Sequence, residues 1–158
     1  MAATLEKSIR ELGLTNGDAP TSPISVSFPL PRAPQTNIHV QLHDNGPNVL
    51  IFLATSTPES SNAAPLGSFV YAMPNVKRSN PSDPLSTPLF TPPTTLDFTT
   101  RMSKILTRRL KKPVYVGNSI SFASAGMGGT VEEEMEGFKR VVEVVVGLVN
   151  QENTARES

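Results

Sequence analysis

Apolar and polar residues alternate with a period of two over much of the chain before residue 74, which predicts strands. Ile24–Phe28 (ISVSF) alternates and then runs into Pro29, Pro31 and Pro34. Thr36–His43 (TNIHVQLH) sets Ile38, Val40 and Leu42 on one face and Asn37, His39, Gln41 and His43 on the other. Asp44-Asn45-Gly46-Pro47 is a turn signal, and Asn48–Thr55, with VLIFLA at its centre, completes a predicted hairpin. Ser56–Pro65 reads as a loop and Leu66–Met73 (LGSFVYAM) as a fourth strand. Pro74–Pro84 reads as a mobile loop, and Leu85–Thr91 as a short edge strand, where Pro88 is best tolerated.

The period then changes. Thr94–Lys111 carries Phe98, Met102, Ile105 and Leu106 on one face of an amphipathic helix. Thr94 and Asp97 make a weak capping box, and Arg108, Arg109, Lys111 and Lys112 sit at the end that the helix dipole favours for cations. Pro113 stops this helix and opens a strand, Val114–Ile120. After a glycine-rich loop, Ala123–Gly129, a second helix is expected over Thr130–Val149, with a Thr130/Glu133 capping box and Glu132, Glu133 and Glu134 in its first turn. The ends, residues 1–20 and 150–158, offer no sustained apolar face and read as disordered tails around one domain over 21–149, although Thr4–Leu14 could form a transient helix.

The predicted architecture is α+β: an antiparallel five- to six-stranded meander with two main helices, in the order β-β-β-β-(β)-α-β-α. In VLIFLA, SFVYAM and VYV both parities are largely apolar, the pattern of a sheet covered on both faces. Two helices cover one face, so the other calls for a partner. That leaves Leu50 and Phe52 on one parity, and Ile51 and Leu53 on the other, as alternative contact sets, together with Phe69, Tyr71 and Tyr115.

Composition narrows the function. The 158 residues carry 14 basic and 14 acidic side chains, a balance that argues against a dedicated nucleic-acid binder. Cysteine is absent, which removes disulfides, thiolate nucleophiles and cysteine-based zinc sites. The first ten residues have no apolar core of a signal peptide, and the apolar run Val141–Val149 contains Glu143 and is too short for a bilayer. A cytoplasmic and nuclear location is expected by elimination.

The candidate chemistry is sparse. His39 and His43 share a strand face about 13 Å apart, too far to ligate one metal directly. No G-x-S-x-G elbow is present. Gly126-Met127-Gly128-Gly129-Thr130 lacks the spacing of a phosphate loop, and three glutamates follow it where an anion would sit. No catalytic residue, metal ligand or cofactor site is therefore assigned. The concentrated feature is the basic first helix, where Arg101, Lys104, Arg108, Arg109, Lys111 and Lys112 stand against Asp97. It reads either as a solvated face or as a docking surface for an acidic protein, with Arg101, Lys104, Arg108 and Arg109 as the contacts.

An ordered set of segments carries a family resemblance: PNVLIFLATS, LGSFVYAMP, the Ser/Thr-Pro stretch PLSTPLF, and the helix Thr99–Lys112 leading directly into Pro113-Val114-Tyr115-Val116, then a Glu-rich last helix. From Ser25 to Val149 the chain resembles the proteasome assembly chaperone 4 family in its fungal form. Long loops at Pro58–Pro65 and Lys77–Pro84 and the extended glycine loop depart from that pattern. The resemblance implies a non-catalytic protein that pairs with a proteasome assembly chaperone 3-like sister and contacts a proteasome alpha-ring subunit, helping the 20S alpha-ring form in order. It implies neither nucleic-acid nor membrane partners, and a homodimer is possible when the chain is isolated. A longin- or roadblock-like scaffold in trafficking has a similar strand and helix order and is the alternative. A small hydrolase or transferase would need a pocket of converging polar groups.

Overall fold

The longest strand sets the plan. In the structure, a computed structural model that describes residues 22–59, 64–77, 83–123 and 129–157, the alternation read at Thr36–His43 belongs to β2, Ala33–Asp44. It pairs antiparallel with β1 (Ile24–Leu30) on one side and β3 (Val49–Ser56) on the other. Pro29 and Pro34 lie inside strands rather than ending them. β1 is an edge strand, and its register shifts at Pro29/Leu30, so a residue without a ladder donor is accommodated there. The Asp44–Val49 turn closes the β2–β3 hairpin through Asn45 N–H donating to the Asn48 carbonyl at 3.0 Å.

The rest of the sheet departs from a simple meander. β4 (Ser68–Met73) pairs antiparallel with the edge strand β5 (Leu85–Phe90), as expected, but β4 does not pair with β3. β6 (Val114–Ser119) lies between them, antiparallel to β4 and parallel to β3, giving the order β1-β2-β3-β6-β4-β5. The sheet is thus six-stranded and mixed, mostly antiparallel. A parallel neighbour requires a long crossover, and the stretch from β3 through β4, β5 and the first helix supplies it.

Two helices cover one face. α1 (Pro93–Leu110) begins slightly before the expected Thr94: Pro92 and Pro93 open it, and no side chain caps it. Thr94 and Asp97 therefore do not form the expected box. Thr95 instead bonds outward, its hydroxyl 2.7 Å from that of Ser68 at the start of β4. At the other end Lys111 adopts the left-handed conformation (φ 58°) and its N–H donates to Thr107 O at 2.9 Å, which ends the helix before Pro113.

α2 (Val131–Glu157) starts on the expected capping box: Glu133 N–H donates to Thr130 Oγ1, and Glu133 Oε2 accepts from the N–H groups of Gly129 and Thr130, both at 3.1 Å. It then runs on through Glu157, so the segment read as a C-terminal tail is helical. The expected N-terminal tail and the Thr4–Leu14 helix lie outside the described residues. So do the central residues of the Ser56–Pro65, Pro74–Pro84 and Ala123–Gly129 loops.

The core lies between sheet and helices. Ile38, Val40 and Leu42 of β2, Val49, Ile51 and Leu53 of β3, and Val114 and Val116 of β6 pack against Phe98, Met102 and Leu106 of α1 and Val141, Val145 and Val149 of α2. Phe98 meets Phe138 edge-on at 5.1 Å and Phe122 at 5.9 Å, tying the helices together. Arg32, in the β1–β2 turn, bridges Glu136 at 3.1 Å and Glu132 at 3.2 Å. These carboxylates, Glu136 first, hold its pKa above the ordinary value.

Candidate functional site

Strand parity decides which side chains are left without a layer above them. In β3 the residues Val49, Ile51 and Leu53 point to the helices, while Leu50, Phe52 and Ala54 point to the opposite face. Ile51 and Leu53, at 0% and 2% exposure, therefore drop out as contact residues: they belong to the core. In β4 the outward set is Phe69, Tyr71 and Met73, and in β6 it is Tyr115, Gly117 and Ser119.

Cross-strand register turns these residues into one row. Tyr71 and Tyr115 are direct partners across β4 and β6, with ring centroids 4.6 Å apart. Phe69 lies 6.1 Å from Tyr115 and 6.3 Å from Phe52, the rings of the latter pair nearly parallel at 11°. Gly117 is opposite both Phe52 and Phe69. A Cβ there would come within 2.7 Å of Phe52 Cδ1 and 3.0 Å of Leu66 Cδ1, so the glycine lets Phe52 and Leu66 lie flat across β6. Met73, Leu85 and Phe90 extend this apolar surface to the β5 edge, each more than a third exposed.

The other half of the same face is polar. β1 contributes Ser25 and Ser27, and β2 contributes His39 and Gln41. His39 Nε2 lies 2.6 Å from Ser56 Oγ, a surface hydrogen bond. The open face is thus an aromatic half over β3, β6 and β4 beside a polar half over β1 and β2. Leu66, Met73, Leu85 and Gly117 were not among the residues expected here. Gly117, a glycine inside the strand VYVGNS, was the one available signal of a close approach.

The basic helix is less free than its sequence indicates. Arg101 pairs with Asp97 at 3.0 Å and Glu134 at 3.3 Å and lies over the Phe138 ring; Lys104 reaches Asp83 at 3.7 Å. Lys112 is largely withdrawn from solvent and bonds Asp44. Arg108, Arg109 and Lys111 are exposed and make no ion pair with a described residue. Arg108 and Arg109 remain as uncompensated cations.

At the α2 N-terminus, the backbone donors that would meet a phosphate are already turned to Glu133. Among the described residues no group of three or more His, Asp or Glu is placed to hold a metal ion. Among them, too, no helix is long and apolar enough to cross a membrane.

A solved structure described as a novel chaperone complex for yeast 20S proteasome assembly has the same fold. It matches at a TM-score of 0.53 and 16% identity, covering 83% of this chain and 96% of that one. No curated protein matches by sequence. The family model described as proteasome assembly chaperone 4 matches residues 37–120, from mid-β2 through β6, which takes in the whole aromatic row. The chain belongs to the proteasome assembly chaperone 4 family.

Proposed function

We propose that this protein is a non-catalytic assembly chaperone that pairs through its open sheet face with a sister of the proteasome assembly chaperone 3 type. The pair promotes ordered formation of the 20S alpha-ring, in the cytosol and nucleus. The observation that carries the reading is the row Phe52–Phe69–Tyr115–Tyr71, four rings on a face that neither helix covers. A contiguous apolar surface of this kind is unusual on a monomer and marks an interaction site. Aromatic side chains supply much of the binding energy where they are buried between partners. The polar half of the face suits the rim of such an interface. With the sheet engaged in pairing, the helical layer and its exposed cations Arg108 and Arg109 are left to meet the ring subunit.

Light scattering after size exclusion tests the pairing. The isolated chain should elute as a homodimer and exchange into a heterodimer when the sister chain is added. A chain that remains monomeric at high concentration, and captures no sister, would defeat the proposal.

A further inference from the structure

The outer seam between α1 and α2 carries a second surface that sheet pairing does not use. Two cavities of about 500 Å³ and 370 Å³ lie along it and share Phe138 and Lys139 as walls. Ile105, Phe138, Val142 and Val146 form an apolar floor. Phe138 is held in place edge-on by Phe98 and from above by the Arg101 guanidinium, 5.8 Å from the ring centre.

Two features of the seam point to a ligand. The first is charge. Its acids are already engaged, Glu134 by Arg101 at 3.3 Å, Glu136 by Arg32 at 3.1 Å and Glu143 by Arg140 at 3.5 Å. Arg109 and Lys139 are exposed and make no ion pair with a described residue, so the uncompensated charge at the rim is positive. The second is Gly147. A glycine inside a helix weakens it relative to alanine. At Gly137 the fold requires one, because a Cβ would come within 2.7 Å of the Phe122 ring. At Gly147 a Cβ would meet no described residue within 4 Å, so among the described residues the glycine serves no packing and leaves the floor of the groove open.

We infer that this seam is a docking groove for an acidic amphipathic helix of a partner protein. Both walls are helices whose backbones are internally bonded, so they offer no ladder edge to an extended strand. A helix brings its own bonds satisfied and needs only an apolar stripe and flanking charge. From Met135 to Asn150 the groove follows α2 for about 22 Å, some four helical turns. An occupant of that length presents apolar residues at i, i+4, i+7 and i+11 to the floor and carboxylates to Arg109 and Lys139. This deepens the docking role proposed for the helical layer and rests on that reading only for the identity of the natural partner.

The test is fluorescence anisotropy on the full chain with a labelled peptide of about 16 residues, leucine at those four positions and glutamate at most others, beside its lysine counterpart. The acidic peptide should bind and the lysine peptide should not. Arg109→Glu with Lys139→Glu should weaken the acidic peptide at least tenfold. Gly147→Gln, which lays a side chain over the floor and improves the helix, should weaken it at least fivefold with circular dichroism unchanged. Absent binding, a preference for the lysine peptide, or full affinity in Gly147→Gln would overturn the groove. Capture of an alpha-ring subunit by the wild-type chain is measured separately. Capture without peptide binding leaves the assembly role standing and removes the groove; peptide binding without capture does the reverse.

Discussion

The buried carboxylate of Asp44 accepts two hydrogen bonds from Lys112 Nζ, at 2.8 and 2.9 Å, across the junction of the β2–β3 hairpin with the end of α1. Its side chain has no exposed surface, and that of Lys112 only 16%. Gly46 N–H donates to the same carboxylate at 2.9 Å, and the Gly46 carbonyl accepts from Lys112 at 3.2 Å. The left-handed turn at Lys111 and Pro113 aim Lys112 inward. Removing one partner of a buried pair strands the other, at a cost of about 3 kcal/mol. Asp44→Ala should therefore lower the melting temperature by on the order of 10 °C, and Lys112→Met by a comparable amount. A change in thermal denaturation below about 2 °C would show that water replaces the lost partner freely.

The same corner holds the C-terminal end of α2. Arg156 Nη2 donates to the Asp44 carbonyl at 2.9 Å, and Nη1 lies 3.9 Å from its carboxylate. Deleting residues 151–158 should cost about 1.5–3 kcal/mol, the range for a hydrogen bond from a charged group, and Arg156→Ala should reproduce most of that loss. Hydrogen exchange over 150–157 should accelerate in Arg156→Ala while α1 stays protected. Equal exchange in both proteins would mean that Arg156 does not anchor the helix end.

What the sequence made legible follows from what periodicity can carry. Strand positions, the covered α+β plan and the Thr130/Glu133 cap were readable because each is local, whereas the choice between the two parities of β3 was not. The insertion of β6 beside β3 was not, since no turn residue records a parallel pairing between segments that 59 residues (55–113) separate. Asp44 read as a turn residue and Lys112 as a surface cation, because composition near a hairpin and a helix end says nothing about two charges meeting in the interior. The last two turns of α2 carry no apolar period and are held by Arg156, a contact with a residue 112 positions away.

The cap of α2 separates charge from geometry. Glu133 is nearly buried, and its carboxylate receives two backbone donors. Glu133→Ala leaves both N–H groups without that acceptor and should cost about 1–2 kcal/mol. Glu133→Gln keeps an acceptor oxygen and should retain at least half of the stability difference in chemical denaturation. If both variants fall equally, the carboxylate charge rather than the hydrogen-bond geometry supports the helix start.

The cations of α1 divide by what they touch. Arg101→Glu sets like charge against Asp97 and Glu134 and removes the guanidinium from Phe138, so it should destabilise by roughly 1 kcal/mol. Arg108→Glu touches no described partner and should stay within about 0.5 kcal/mol of the parent. In alpha-ring subunit capture the order should invert, with Arg108→Glu with Arg109→Glu the more damaging and its effect largest at low salt. Undiminished capture by that double variant at low salt would mean that these arginines are only solvated.

Gly117 offers a way to disturb the open face without entering the core. It lies beneath Phe52 and Leu66, and a methyl group there would sit 2.7 Å from the Phe52 ring, closer than real contacts allow. The atoms it would meet are side-chain atoms of Phe52 and Leu66 on the uncovered face, so Phe52 can swing outward and the backbone need not move. Replacing a strand glycine also recovers conformational entropy. Stability in Gly117→Ala should therefore stay within about 1 kcal/mol of the parent. Pairing should suffer more, because lifting Phe52 breaks the near-parallel stack with Phe69 and roughens the surface that a partner must match. Loss of one such central contact is worth about 2 kcal/mol, close to a thirtyfold weaker association. Sedimentation equilibrium on the isolated chain, and titration with the sister chain, should both show that loss. A Gly117→Ala protein that unfolds would place Phe52 in the fold rather than the interface, and one that pairs normally would remove the aromatic row from it.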